Sequence, residues 1–195
     1  MRYDKGHKEA TRRRIVEVAS RSFLRNGVAE VGVAALMEAA GLTRGGFYAH
    51  FVSKEALLQE AVANAFGRLR TEFQRVTAAD ERGIDAILSF YLRPRYRDKP
   101  ERGCVAASLA AEIARHPAAT KAVFTQEFER VIELIGEQLV AIDDELQRRS
   151  AAIAIFAMMA GTLQLARAVS DATLSDQILE SGIAAALLLS GRRDG

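Results

Sequence analysis

The sequence predicts an all-α protein of about nine helices, with a small N-terminal three-helix unit carrying a helix-turn-helix and a larger helical body. Three observations carry that prediction. Apolar residues recur at helical spacing along most of the chain, and strict apolar–polar alternation is absent. All three prolines fall between 94 and 117, so 53–93 and 118–195 hold no proline to break a helix. Six of the 14 glycines lie in the first 46 residues, where short helices joined by tight turns are therefore expected.

The elements follow in order. In 9–25, Ile15, Val18, Ala19, Ser22 and Phe23 line one face. Asn26-Gly27 stops that helix with residues that tolerate positive φ. A short second helix, 33–40, ends at Gly41. Thr43 is placed to cap a third, 44–50, and Ser53 a fourth, 54–77, whose first turn carries Glu55. Further helices are expected at 81–93, 104–115, 118–141, 143–170 and 174–190. Pro94 ends the fifth, and Pro117 separates the sixth from the seventh. Asp143 and Ser175 are placed as caps or first-turn residues, 94–103 as the longest loop, and 191–195 as a frayed tail.

Composition excludes several classes. Hydrophobic residues make up 49% of the chain, which is globular rather than disordered. One cysteine, Cys104, rules out an intrachain disulfide and a multi-cysteine zinc site. No apolar run is expected to reach the roughly 18 residues that cross a bilayer, and the charged start is no secretory signal. A cytoplasmic protein with no membrane partner is the expectation. With three separated histidines and neither HExxH nor a Walker motif, no enzyme, metal or cofactor is expected. The net charge of +2 hides an asymmetry: residues 1–55 hold ten Lys/Arg against six Asp/Glu. A basic head on a slightly acidic body suits a polyanionic partner.

The segment 33–51 reads as helix, tight turn, helix. Leu36, Met37 and Ala40 face a core, and Phe47 and Phe51, four apart, hold the second helix against it. Arg44, Tyr48 and His50 fall on the opposite face, as in a helix that enters the major groove. Three runs, Gly41-Leu42-Thr43, Phe47-Tyr48-Ala49-His50-Phe51 and Ser53-Lys54-Glu55-Ala56-Leu57-Leu58, keep fixed spacings. With them, residues 11–58 resemble the N-terminal DNA-binding domain of TetR/AcrR-type transcriptional repressors. The resemblance implies a helix-turn-helix domain over 1–52 and an effector-binding and dimerisation domain over 53–195. It places Arg44, Gly45 and Gly46 where family members touch base edges, and Thr43, Tyr48, His50 and Lys54 on the sugar-phosphate backbone. Arg suits guanine O6 and N7 in bidentate fashion. The two glycines depart from the bulkier residues often found there, which shifts readout toward DNA shape. Arg2, Lys5, His7, Lys8, Arg12, Arg13 and Arg14 would extend the phosphate contacts or enter a minor groove.

The resemblance also implies a regulator, most simply a repressor, that leaves a palindromic double-stranded DNA operator when a small-molecule effector binds. A homodimer would form through helices 143–170 and 174–190. Ala152, Ile155, Phe156, Met159, Leu163, Ile183, Leu187 and Leu188 are spaced for apolar seams, and Ala160, Gly161, Ala166 and Ala168 for close approach. Phe66, Leu88, Tyr91, Leu92, Leu109, Ile113, Phe124 and Phe128 are the candidate effector walls. Arg70, Glu112, His116, Gln164 and Arg167 are candidate polar groups beside Tyr91. Cys104 opens a helix next to Arg102, where the dipole lowers a thiol pKa, so redox or electrophile sensing is one alternative. A helical DNA-binding protein without ligand sensing is the other.

Overall fold

A computed structural model describes residues 5–80 and 82–191. Arg2, the Lys5 side chain, Glu81 and the tail 192–195 lie outside the described residues. The chain runs α1 (Lys5–Asn26), α2 (Val33–Ala39), a 3-10 helix (Arg44–Ala49), α3 (Lys54–Ala79), α4 (Ile84–Tyr91) and α5 (Pro94–Arg97). A second 3-10 turn (Pro100–Arg102) leads into α6 (Val105–Ile113), α7 (Ala118–Glu137), α8 (Glu145–Ala168) and α9 (Ala172–Leu189). The all-helical prediction holds for the described residues.

Local chemistry sets most of the boundaries. Gly27 and Gly41 end α1 and α2 at φ 81° and 68°, a region that costs a Cβ-bearing residue strain. Ser53 caps α3 by accepting the Ala56 N–H at 3.0 Å. Three expected caps differ. Thr43 occupies the N-cap position in extended backbone, but its side chain makes no capping bond. Asp144, rather than Asp143, caps α8 by accepting the Gln147 N–H at 2.7 Å. Asp171, rather than Ser175, caps α9 by accepting the Leu174 N–H at 2.7 Å. Ser175 lies inside α9, where its hydroxyl donates to the Ala166 carbonyl at 2.6 Å. Pro94 does not end α4, which stops at Tyr91; it starts α5, where its missing N–H costs nothing.

The long helix α3 packs on α1 at one end and α7 along its length, and α8 packs on α7 and α9. The core is continuous from Ile15, Phe23 and Phe47 through Phe66 and Phe73 to Phe156 and Leu163. This corrects the expected seam on α8: Ala152, Ile155, Phe156, Met159 and Leu163 are buried inside their own chain. The side of α8 that faces away carries Ile153, Ala157, Gly161 and Leu165, continued on α9 by Leu174 and Leu188. Leu165 is 61% and Leu188 68% exposed. The close approach of α8 to α9 comes at Gly182, where a Cβ would sit 2.5 Å from Thr162. Both helices are long and apolar enough, by composition, to cross a membrane, contrary to expectation. The apolar excess has a simpler source in a helix pair with one face on the core and the other uncovered.

Candidate nucleic-acid interface

The turn from Gly41 to Leu42 carries the chain into six residues of 3-10 helix rather than the expected α-helix over 44–50. Gly45-Gly46 explains part of the difference, because glycine disfavours α-helical propagation. Phe47 anchors the segment. It is fully buried, stacked on Phe51 at 5.7 Å and edge-on to Tyr48 at 5.2 Å between ring centroids. With that side fixed, Thr43, Arg44, Gly45 and Tyr48 are presented to solvent, and Tyr48 is 75% exposed. An aromatic that exposed is unusual on a surface with no partner. Gly46 and His50 are half-buried.

Arg12 and Lys54 have structural tasks that sequence reasoning missed. The Arg12 guanidinium lies 4.1 Å above the Phe51 ring, donates to the His50 carbonyl and pairs with Glu60 on α3. It thus ties α1 to both ends of the Phe51–Lys54 connection, while Arg13 and Arg14 stay exposed. Lys54 Nζ donates to the Val28 carbonyl at 2.5 Å. Its ammonium retains two further donors. His50 Nδ1 is buried without a hydrogen-bond partner. Burial, then the charges of Lys8 and Arg12, hold its pKa below the usual imidazole value. At neutral pH its ring is therefore uncharged.

Glu112 of α6 was expected among the effector-site polar groups. Its carboxylate instead accepts the backbone N–H groups of Val28 at 2.9 Å and Ala29 at 2.8 Å. His116 likewise faces away from an effector site: its Nδ1 lies 3.0 Å from Glu55, which also accepts from Thr120 at 2.5 Å. These bonds connect the body to the turn that precedes α2 and to the start of α3.

The expected effector walls divide. Phe66, Leu88, Tyr91, Leu92, Leu109 and Ile113 are buried core. Phe124 and Phe128 are half-buried on α7, against Phe66 at 5.2 Å and Phe156 at 5.5 Å. Gln164 does not join them: it is exposed on the outward side of α8, one residue beyond the inward Leu163. Arg70 pairs with Glu127, and Arg167 donates to the Arg97 and Tyr96 carbonyls at 3.0 and 3.1 Å. Cys104 is fully buried against Tyr91, and burial pushes both acids above their usual pKa values. The expected thiolate at the start of α6 is therefore not favoured. The N–H groups of Ala106 and Ala107 act in the expected direction, but loss of water outweighs them.

Residues 15–61 match the family model for bacterial regulatory proteins of the tetR family. The HTH-type transcriptional regulator TtgR of Pseudomonas putida is 42% identical over 59 residues, 30% of this chain and 28% of that protein. A TetR transcriptional regulator from Chloroflexus aurantiacus is 26% identical, with a TM-score of 0.73 over 91% of this chain and 94% of that one. The segment 15–61 belongs to the TetR family. AcrR of Shigella flexneri is a further relative, 36% identical over 76 residues, 37% of this chain and 35% of its own. The matches thus span about a third of the curated relatives, and the family model covers the segment that holds the helix-turn-helix. The TetR fold extends further. A structure described as the reduced form of NemR from E. coli is 21% identical with a TM-score of 0.72, covering 92% of this chain and 97% of that one.

Proposed function

We propose that this protein is a cytoplasmic, sequence-specific DNA-binding repressor of the TetR family that acts as a homodimer and is released from its operator by a small molecule. The observation that carries the reading is the exposed set Thr43, Arg44, Gly45 and Tyr48 on a short helix fixed from behind by buried Phe47. Arg44 and the backbone at Gly45 and Gly46 would meet base edges. Thr43, Tyr48, His50 and Lys54 would meet phosphates. The division into a DNA-binding unit over 1–52 and a regulatory unit over 53–195 follows from it. A two-fold axis through the open face of α8 and α9 would set two recognition helices on one side of a palindromic duplex. The chemistry asks for no catalytic group.

The test compares one operator with random duplex at a fixed salt concentration. Arg44→Ala is expected to cost about 1–3 kcal/mol on the operator and little on random DNA. Equal losses on both would reduce Arg44 to a backbone contact and remove the claim of direct readout. Lys54→Ala is expected to weaken binding to every sequence and to lower the salt slope by about one unit. An unchanged slope would leave Lys54 only its bond to Val28.

A second reading takes Cys104 as a redox or electrophile sensor, supported by the fold likeness to reduced NemR and opposed by the burial of the thiol. A Cys104→Ser protein that still releases operator on oxidant exposure would exclude it.

A further inference from the structure

A groove of about 1000 Å³ opens between α1, the middle of α3 and the segment from Phe90 to Arg102. Its lining holds eight Lys and Arg side chains and a single acid, Glu72, so its field is strongly positive. Glu72 is already engaged by Arg75 at 2.8 Å, and the Arg21 and Arg70 charges are met by Glu17 and Glu127. Five cations have no acidic partner among the described residues: Arg68, Arg93, Arg95, Lys99 and Arg102. Arg68 bonds only to the neutral oxygens of Asn64 and Ser20, at 2.7 and 3.0 Å.

The arrangement crowds like charges around partly buried groups. Burial and then the like charge of exposed Arg21 lower the Arg68 pKa, so the half-buried Arg68 guanidinium is the one poorly solvated. Arg93 lies 4.4 Å above the Phe90 ring, and its Nε is buried with no hydrogen-bond partner. A buried N–H keeps its capacity to donate to an acceptor that enters the groove. Beside it, Phe90 and Tyr96 pack 5.4 Å apart as an apolar floor. A guanidinium above an aromatic ring, with further cations beside it, suits a carboxylate, sulfonate or phosphate carried on an apolar body.

We propose that this groove binds an anionic small molecule with an apolar ring body, held by Arg68, Arg93, Arg95 and Lys99 over the Phe90–Tyr96 floor. This inference gives the effector its chemical class and so rests on the regulatory reading above. The site differs from the expected Phe66–Leu109 pocket, whose walls are packed core. It also touches both parts of the molecule. Arg21 belongs to α1, and Arg25 pairs with Glu101 at 3.7 Å across the same junction. An anion drawn between α1 and the Phe90–Arg102 segment would therefore change how the DNA-binding helices are held against the body.

The test uses the full chain and two fluorescent probes, anilinonaphthalene sulfonate and the neutral phenylnaphthylamine, which share an aromatic body. Arg95→Gln with Lys99→Gln removes two exposed charges that make no contact on which folding depends. The sulfonate is expected to bind the wild type and to lose at least about tenfold in affinity in the double variant, the effect of one charged contact. The neutral probe should bind wild type and variant alike, and more weakly than the sulfonate binds the wild type. Sulfonate binding that is absent, or unaltered by the substitutions, would overturn the proposal. So would displacement of the sulfonate by random duplex, which would make the groove a nucleic-acid surface. The same variant without probe should bind operator as the wild type does. A parallel loss would assign these cations to DNA and refute the groove, leaving the regulator reading intact. If the probe pattern holds but the wild type selects no DNA sequence, the groove stands and the regulatory reading falls.

Discussion

Leu165→Asp is expected to convert the protein from dimer to monomer and to weaken operator binding by roughly a hundredfold or more, because two linked half-sites bind far more tightly than one. Leu165 is 61% exposed, so its own chain loses little packing when it is replaced. With Ile153, Ala157 and Gly161 on α8 and Leu188 on α9, it forms an apolar face with no cover in the single chain. Contiguous apolar surface of this kind marks an interface. An aspartate there would have to be desolvated without a partner against a second copy of the chain. Sedimentation equilibrium reads the oligomeric state, and titration of operator reads the affinity. A variant that remains dimeric and binds normally would move the interface elsewhere.

Glu112→Ala is expected to destabilise the protein by about 3 kcal/mol, since two charge-assisted bonds to backbone N–H groups are lost together. Val28 is buried, so its amide would be left without an acceptor. The change would also free the turn before α2 from the body while leaving the recognition face itself intact. Denaturant titration gives the stability. Amide exchange at Val28 and Ala29 should accelerate more than exchange in the α8 core. An unaltered denaturation midpoint would show that the carboxylate does not hold the turn.

What could be read from sequence was local. Gly41 and Ser53 announce a turn and a cap because backbone conformation and nearest hydrogen bonds decide them. Phe47 and Phe51 could be assigned to the core, and Arg44 and Tyr48 to the surface, because the spacing within one short segment sorts them. The features missed depend on distant partners. Nothing near Glu112 in the chain indicates that it reaches the Val28 and Ala29 amides. The cationic groove takes side chains from α1, α3, α5 and the turn before α6. In α8 the alanines and aliphatics surround the helix, so periodicity left open which side faces its own core. The Cys104 thiol shows a local signal, the helix start, overridden by burial set by tertiary packing. The basic run at Arg12–Arg14 was visible, but its division between Arg12 as a clamp and Arg13 and Arg14 as exposed cations was not.

The most direct test of the central claim is selection of binding sites from random duplex DNA by the purified protein at a stated salt concentration. The account predicts enrichment of a palindromic site that is lost with Arg44→Ala. Recovery of sequences no better than random, with and without an anionic ligand present, would contradict a sequence-specific regulator.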